Sequence, residues 1–590
     1  MSAETFELAR WSLADLLPAT HGPEFDSVVG EMEGAVAELE SQRDRLSPDM
    51  PTDQFQAMID LVVKIAVIGG RLRAYSYLWF TEDTQEQEAL AFRGRVEKLL
   101  TDVENRTLFF SLWWKGLDDE PAARLLAASG DNAYYLESLR RFKPHTLSEP
   151  EERIINVKDV NGTHGLVTIY EMVTNAFTFE VEIDGELKKL NRAELSVYAR
   201  DPRPEVREAI YRELYRVYAQ DGTVLGQIYQ YLVRDWSSEN LDLRHFSSPI
   251  AVRNLANDIP DTVVDTLLEA CRANASLFQR YFRLKAGWLG MDRLRRYDIY
   301  APLTASEKTF DFDEAAKMVL ASLEDFSPVL AGHARRVFAD GHLDSELRPR
   351  KDTGAFCYSV LPGLTPWVLI NYTGQVSDVA ALAHELGHAI HGLMAAEHTP
   401  LTFHSSLPLA ETASVFSEML LLERLLAQEK DPALRRDVLA RFVDDTYATV
   451  TRQAYFVLFE RDAHRLIAEG RTTEQLSAHY LDNLQEQFGD SVELSDEFRW
   501  EWTSIPHIYR TPFYCYAYSF GQLLVLALYG RYRKEGKPFV ARYEKILAYG
   551  GSRSPAEILT EAGIDMTSLE FWNGGFDIIA EMIDELESLG

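Results

Sequence analysis

Apolar residues three and four apart recur along Phe25 to Leu46, Thr52 to Phe80 and Thr84 to Leu112, and the helical pattern continues to about Asn175. No repeat of fixed period stands out. Phe177, Phe179, Val181 and Ile183 then alternate with Thr178, Glu180 and Glu182. Asp184-Gly185 and a return through Leu187 and Leu190 follow, so a β-hairpin is predicted over about 177–190. Asn191 caps a helix with Glu194 three residues on, and Asp201-Pro202-Arg203-Pro204 breaks it before another from Glu205 to about Tyr218. These signals divide the chain near residue 200, into an N-terminal helical region with a hairpin (1–200) and a second region (201–590).

Amphipathic helices resume to about Phe338, with turn-rich stretches near Ile259-Pro260 and Tyr300 to Thr304. Ala355 to Val360 and Trp367 to Tyr372 are short runs rich in aromatic and β-branched residues, punctuated by Pro362-Gly363 and Pro366, and predict two strands. After Gly374 the pattern is helical to the end. The expected fold is mainly α, with a small sheet directly before one helix that carries unusual polar residues.

Composition narrows the classes. Of 590 residues 46% are apolar and 26% charged, enough to bury a large core, so disordered, collagen-like and disulfide-scaffold classes are excluded. A formal net charge of −32 repels polyanions and anionic membranes, which argues against nucleic-acid and lipid-surface partners. The three cysteines, Cys271, Cys357 and Cys515, are odd in number and far apart, as in a reducing compartment. Met1 to Leu17 carries Glu4 and Glu7 and no apolar core, unlike a secretory leader. Leu523 to Tyr529 falls far short of the ~20 residues of a membrane span, and Lys64 interrupts Leu61 to Ile68. A cytoplasmic protein is expected.

The polar residues of the helix after Gly374 are His384-Glu385-Leu386-Gly387-His388, an HExxH motif. At ~100° per residue the two histidines lie within roughly 40° of each other, while Val379, Leu382, Ala383, Leu386, Ile390 and Leu393 form an apolar back. Zinc takes three protein ligands and a water, and uses a neighbouring carboxylate to accept that water's proton. Glu385 stands in that place. A helix with two structurally satisfied histidines is the plain alternative, and the downstream residues discriminate.

A metzincin needs Gly at 391 and His at 394, but these are His391 and Met394. Thermolysin-type spacing falls on Leu407, which cannot bind metal. The nearest suitable carboxylate is Glu411, at the start of an apolar helix that carries Glu418 two turns later on the same side. Glu411 is taken as third ligand and Glu418 as acceptor for a ligand imidazole. Glu397, His391, His398 and His404 are weaker candidates.

Peptide hydrolysis also needs donors for the oxygen that becomes negative. The segment Pro506 to Gly521 holds His507, Arg510, Tyr514, Tyr516 and Tyr518. Thr511 as N-cap and Pro512 as first residue predict a helix starting there, with Tyr514 and Tyr518 on one face and Gly521 leaving space beneath. Taken alone, such a cluster is usually core packing.

HELGHAIHG at His384 to Gly392, LAETASVFSE at Leu409 to Glu418 and PHIYRTPFYCYAYSFG at Pro506 to Gly521 resemble the thimet oligopeptidase family of zinc peptidases, in particular its oligoendopeptidase F branch. Gly354-Ala355-Phe356-Cys357, Asp201-Pro202 and Arg207 add to the likeness, which covers nearly the whole chain. The resemblance implies an elongated, multi-helix, zincin-type metallopeptidase with a deep channel, one Zn2+ per chain at its floor and short flexible peptides as substrates. It implies His384, His388 and Glu411 as zinc ligands, Glu385 as general base, and His507, Tyr514 and Tyr518 as transition-state donors, with Tyr516 interrupting the tyrosine spacing. The strand from Ala355 would lie along the substrate, so Gly354, Ala355, Phe356 and Tyr516 are expected to bind it. A carboxypeptidase or dipeptidyl carboxypeptidase on the same scaffold needs a cation for the terminal carboxylate, for which Arg510 is the candidate. A non-catalytic peptide-binding protein would use the same cleft without needing Glu385.

Overall fold

The periodic segments fold as helices because each has an apolar stripe to bury. Pro23–Ser41, Thr52–Glu82 and Gln87–Gly116 are the first three long ones, packed around Met32, Ile68, Leu72, Phe92 and Val96. The structure, a computed structural model, describes residues 5–303 and 309–589. Met1 and Glu4 of the leader reading and Thr304 of the turn-rich stretch lie outside the described residues. The hairpin forms from β1 (Phe179–Ile183) and β2 (Glu186–Leu190), antiparallel, with Phe179 opposite Leu190 and Ile183 opposite Glu186. Its turn residues Asp184 and Gly185 have φ of 58° and 78°, as a two-residue hairpin loop of this hand requires. The Asn191–Glu194 capping box is present, and Pro204–Gln220 begins after the predicted break.

By their internal contacts the residues form two compact units of three segments each. One comprises Met1–Lys143, Glu307–Leu425 and Arg531–Ile564, the other Pro144–Ser306, Leu426–Gly530 and Asp565–Gly590. Compactness therefore does not follow the expected split at residue 200. The reason is burial between segments distant in sequence: Trp11, Ala74 and Leu78 share a core with Val360, Leu361, Trp367 and Leu369.

In the first unit β4 (Leu343–Asp344), β5 (Phe356–Tyr358) and β6 (Trp367–Leu369) form a sheet in the order β4-β6-β5, after the short β3 (Leu294–Arg295) of the second unit. β6 is central, parallel to β4 and antiparallel to β5, with Cys357 opposite Val368. β5 is an edge strand. Both strands are shorter than predicted: β5 ends at Tyr358, before the chain turns through Pro362, Gly363 (φ 81°) and Pro366, and β6 starts at Trp367 as expected but ends at Leu369. The Thr52–Glu82 helix flanks β5, its Tyr77 ring 5.5 Å from Phe356 and 5.6 Å from Tyr358.

In the second unit β3 pairs in parallel with β7 (Val492–Glu493). Arg207, 1% exposed, donates to buried Asp298 (Nη2 to Oδ1, 2.7 Å) and to the Asp201 carbonyl (2.6 Å). That ties the Asp201 corner to the helix after it, so this motif is structural. Leu523 to Tyr529 is core of the Tyr516–Glu535 helix, and no helix among the described residues is long and apolar enough to cross a membrane. Cys271, Cys357 and Cys515 are all free thiols.

Candidate active site

The HExxH motif lies in the Val376–Met394 helix, opened by a Gln375–Asp378 capping box and held by buried Val379, Leu382, Ala383, Leu386, Ile390 and Leu393. Gly387 permits the key approach. A Cβ there would lie 2.5 Å from the Ala413 carbonyl oxygen and 2.5 Å from Ser414 Cα, so the Thr412–Gln428 helix presses its first turn against the motif. Glu411 immediately precedes that helix. His384 Nε2 and His388 Nε2 are 3.2 Å apart and lie 3.3 and 3.4 Å from Glu411 Oε2. The three donor atoms fall within 4.8 Å of one another.

The other edges of these three side chains are tied. His384 Nδ1 meets Glu418 Oε1 at 2.5 Å, the His388 ring hydrogen-bonds the Ala410 carbonyl, and Glu411 Oε2 accepts from Ser414 Oγ at 2.7 Å. Such contacts fix ring orientation and leave both Nε2 atoms facing one point. Burial alone would depress His384, but hydrogen bonds to Glu411 and Glu418 overcome it and hold the ring up at about 11. Burial raises and His384 more than counteracts it for Glu411, held down at about 2. Two carboxylates thus call for positive charge where the three donors converge, and two imidazole nitrogens with a carboxylate oxygen suit a divalent transition metal.

Glu385 is 6% exposed. Burial, reinforced by Glu411 and Glu418, pushes its carboxyl up to about 7, against the pull of His384 and the Cys357 backbone N–H that it accepts. That N–H belongs to β5, placed by Gly392: a Cβ there would lie 2.5 Å from Ser359 Oγ. A cavity of about 590 Å³ opens beside these groups, lined by His384, Glu385, His388, the Ala355 to Val360 run and Arg73. Of the predicted substrate residues, Ala355 and Phe356 line it. Gly354 is exposed next to them and donates its N–H to Asp352 Oδ1 at 2.9 Å. His391 and His404 also line the cavity, whereas His398 is held by Asp131 and the Ala548 carbonyl.

In the second unit His507, Tyr514 and Tyr518 come together. The Tyr514 and Tyr518 rings are 5.2 Å apart, the His507 ring lies 6.1 and 5.9 Å from them, and Tyr518 Oη is 3.5 Å from His507 Nε2. Burial, with Arg510 and Arg452, lowers His507, so its ring is neutral near pH 7. The helix predicted from Thr511 starts instead at Tyr516. Phe513 adopts φ 58°, left-handed, which no helix start accommodates. Tyr516 is also corrected: it is 0% exposed and its Oη accepts from Asn257 Nδ2 at 2.8 Å, so it belongs to the core and meets no substrate. Arg510 donates to Glu171 at 2.7 and 2.6 Å.

The Phe513 turn is clamped by two residues the motifs did not reveal. Glu460 Oε1 accepts the Phe513 N–H at 2.9 Å, and Arg253 Nε donates to the Pro512 carbonyl at 3.3 Å. Glu460 is 0% exposed, and burial lifts its carboxyl from 4.5 to about 8. The native state therefore holds more protons than the unfolded chain between these values, and Glu460 costs stability increasingly as pH rises from 4.5 through about 8. Glu460→Gln keeps an acceptor for Phe513 and removes the charge. Its melting temperature, measured against wild type from pH 5 to pH 9, should gain with pH up to about 8 and then level off; a constant difference would contradict the assignment.

The chain matches peptidase family M3 over residues 197–578 and the oligopeptidase F family over residues 113–179. It is 26% identical to oligopeptidase PepF of Bacillus subtilis over 601 positions, covering 98% of this chain and 87% of that protein. It is 29% identical to group B oligopeptidase PepB of Streptococcus agalactiae over 465 positions, covering 77% and 76%. The fold superposes on the crystal structure of a Chlamydophila abortus protein with a TM-score of 0.88, at 25% identity and 98% coverage of both chains. It superposes on oligoendopeptidase-F from Enterococcus faecium with a TM-score of 0.73, at 24% identity, covering 96% of this chain and 98% of that one. Since residues 197–578 take in the whole His384 to Glu418 cluster and well over half of the sequence, the chain belongs to peptidase family M3 and is a metallopeptidase with homologues among the oligoendopeptidases F.

Proposed function

We propose that the protein is a zinc-dependent oligoendopeptidase that hydrolyses internal bonds of short, unstructured peptides in the cytoplasm. The observation that carries this reading is the convergence of His384 Nε2, His388 Nε2 and a Glu411 oxygen within 4.8 Å, with Glu385 beside them. Those three residues would hold one Zn2+ per chain, and Glu418 would steady His384. When bound, zinc polarises the scissile carbonyl and makes a water acidic enough to lose a proton near neutral pH.

The remaining work falls to the chain. Glu385, with a carboxyl raised to about 7, takes the proton from the attacking water and delivers it to the leaving amine. The Cys357 N–H fixes the carboxylate for both transfers. An extended peptide would pair along the outer edge of β5, with Gly354, Ala355 and Phe356 beside it. His507, Tyr514 and Tyr518 are assigned as donors to the developing oxyanion. In order along the sequence, 201–590 carry this chemistry and 1–200 form the helical region with the hairpin. The net charge of −32 is unsuited to nucleic acid or anionic membrane surfaces.

Arg510, the candidate for holding a terminal carboxylate in the carboxypeptidase reading, is paired with Glu171. The test is mass-spectrometric mapping of products from peptides of graded length with free, acetylated and amidated ends. Internal cuts in doubly blocked short peptides, fading for long or folded ones, are expected. Trimming restricted to a free C-terminus would replace this reading with the carboxypeptidase one.

A further inference from the structure

Gly70 and Arg73 of the Thr52–Glu82 helix, far away in sequence, also line the cavity beside the HExxH motif. Gly70, Arg73 and Tyr77 lie at i, i+3 and i+7, on one face of that helix. Tyr77 packs on Phe356 and Tyr358 at 5.5 and 5.6 Å. A Cβ on Gly70 would lie 3.5 Å from Leu361 Cδ2 and 3.9 Å from the Val360 carbonyl. The helix thus runs along β5 in the opposite direction, and Arg73 falls between these contacts, against the Tyr358 to Val360 end. The Arg73 charge acts on the Tyr358 phenol, opposing the rise that burial causes there.

Among the described residues lining this cavity, Arg73 is the permanent cation. Its side chain is 60% exposed, and its partner, Glu104 at 3.2 Å, is 70% exposed, so the pair is weak and leaves guanidinium donors for another group. At the start of the same strand the charge is opposite: Asp352 accepts the Gly354 N–H and faces Tyr77.

Resting on the peptidase reading above, we propose that Arg73 is a specificity-determining residue that binds a carboxylate of the substrate. A peptide paired with β5 advances about 3.3 Å per residue. The Glu385 contact is at Cys357 and Arg73 lies by residues 358–360, so the bound carboxylate is one to three residues from the cleaved bond. It comes from an acidic side chain or from the free C-terminus of a short peptide. The planar guanidinium suits either.

The experiment compares kcat/KM for matched peptides with Glu or Gln at each position one to three residues from the cleaved bond, with free and amidated C-termini, for wild type, Arg73→Gln and Arg73→Lys. Wild type should prefer the carboxylate-bearing member of one pair by about fivefold, mostly through KM, and the preference should shrink with added salt. Arg73→Gln should bring that ratio to about one and Arg73→Lys should keep part of it. Preference following Glu identifies a side-chain ligand, and preference following the free terminus identifies the terminal carboxylate. The same ratios in wild type and Arg73→Gln, in both arms, would overturn the inference and leave the peptidase reading standing. A wild-type protein that cuts none of these peptides would overturn both. Melting curves check that Arg73→Gln is folded, and the salt dependence of the wild-type ratio tests the charge without any variant.

Discussion

Glu385→Gln should lower kcat on a short peptide by about a thousandfold, the scale on which a positioned general acid–base contributes. Glutamine has the same shape, and its amide oxygen can still accept the Cys357 N–H, so the cavity and the three convergent donor atoms keep their places. The loss should appear in kcat, with metal content and melting temperature unchanged. Turnover near the wild-type rate would show that another group moves the proton. A comparable loss accompanied by loss of metal would mean that Glu385 acts on the site's structure.

The second large effect is expected at Gly387, through packing alone. An added methyl would stand 2.5 Å from the Ala413 oxygen and from Ser414 Cα, distances no carbon tolerates, and both are backbone atoms. Relief requires the first turn of the Thr412–Gln428 helix to retreat, taking Glu411 with it. Gly387→Ala should cost roughly 1–3 kcal/mol of stability as overpacking. It should also weaken metal binding and cut activity by about a hundredfold, as a shift of about 1 Å in catalytic geometry does. Calorimetry and metal titration measure the two parts. Wild-type metal affinity in the variant would remove Gly387 from the account.

What was legible in the sequence was what is local. The histidine pair follows from i, i+4 spacing on a helix with one apolar face, and the placing of Glu418 follows from helical periodicity counted from Glu411. The hairpin was announced by its alternation and its Asp184-Gly185 turn. Illegible features depend on contacts between distant segments or on main-chain atoms. The Cys357 N–H on Glu385 carries no side-chain signature, and only the packed structure shows what Gly387 faces. Tyr516 interrupts the helical spacing of Tyr514 and Tyr518, and nothing local reveals that Asn257 draws it inward. The expected helix at Thr511 failed because buried Glu460, over fifty residues earlier, captures the Phe513 N–H and stabilises a left-handed turn. Likewise, no pattern within 1–143 announces that Trp11 and Leu78 bury themselves against Val360 and Trp367.

The central claim, that His384, His388 and Glu411 hold a metal on which peptide hydrolysis depends, is tested most directly by metal removal and return. The purified protein should contain one zinc per chain, lose turnover on exhaustive chelation while staying folded, and regain it as one equivalent of zinc is restored. Full turnover by the metal-free protein, or a His388→Ala variant that binds zinc as tightly as wild type, would contradict it.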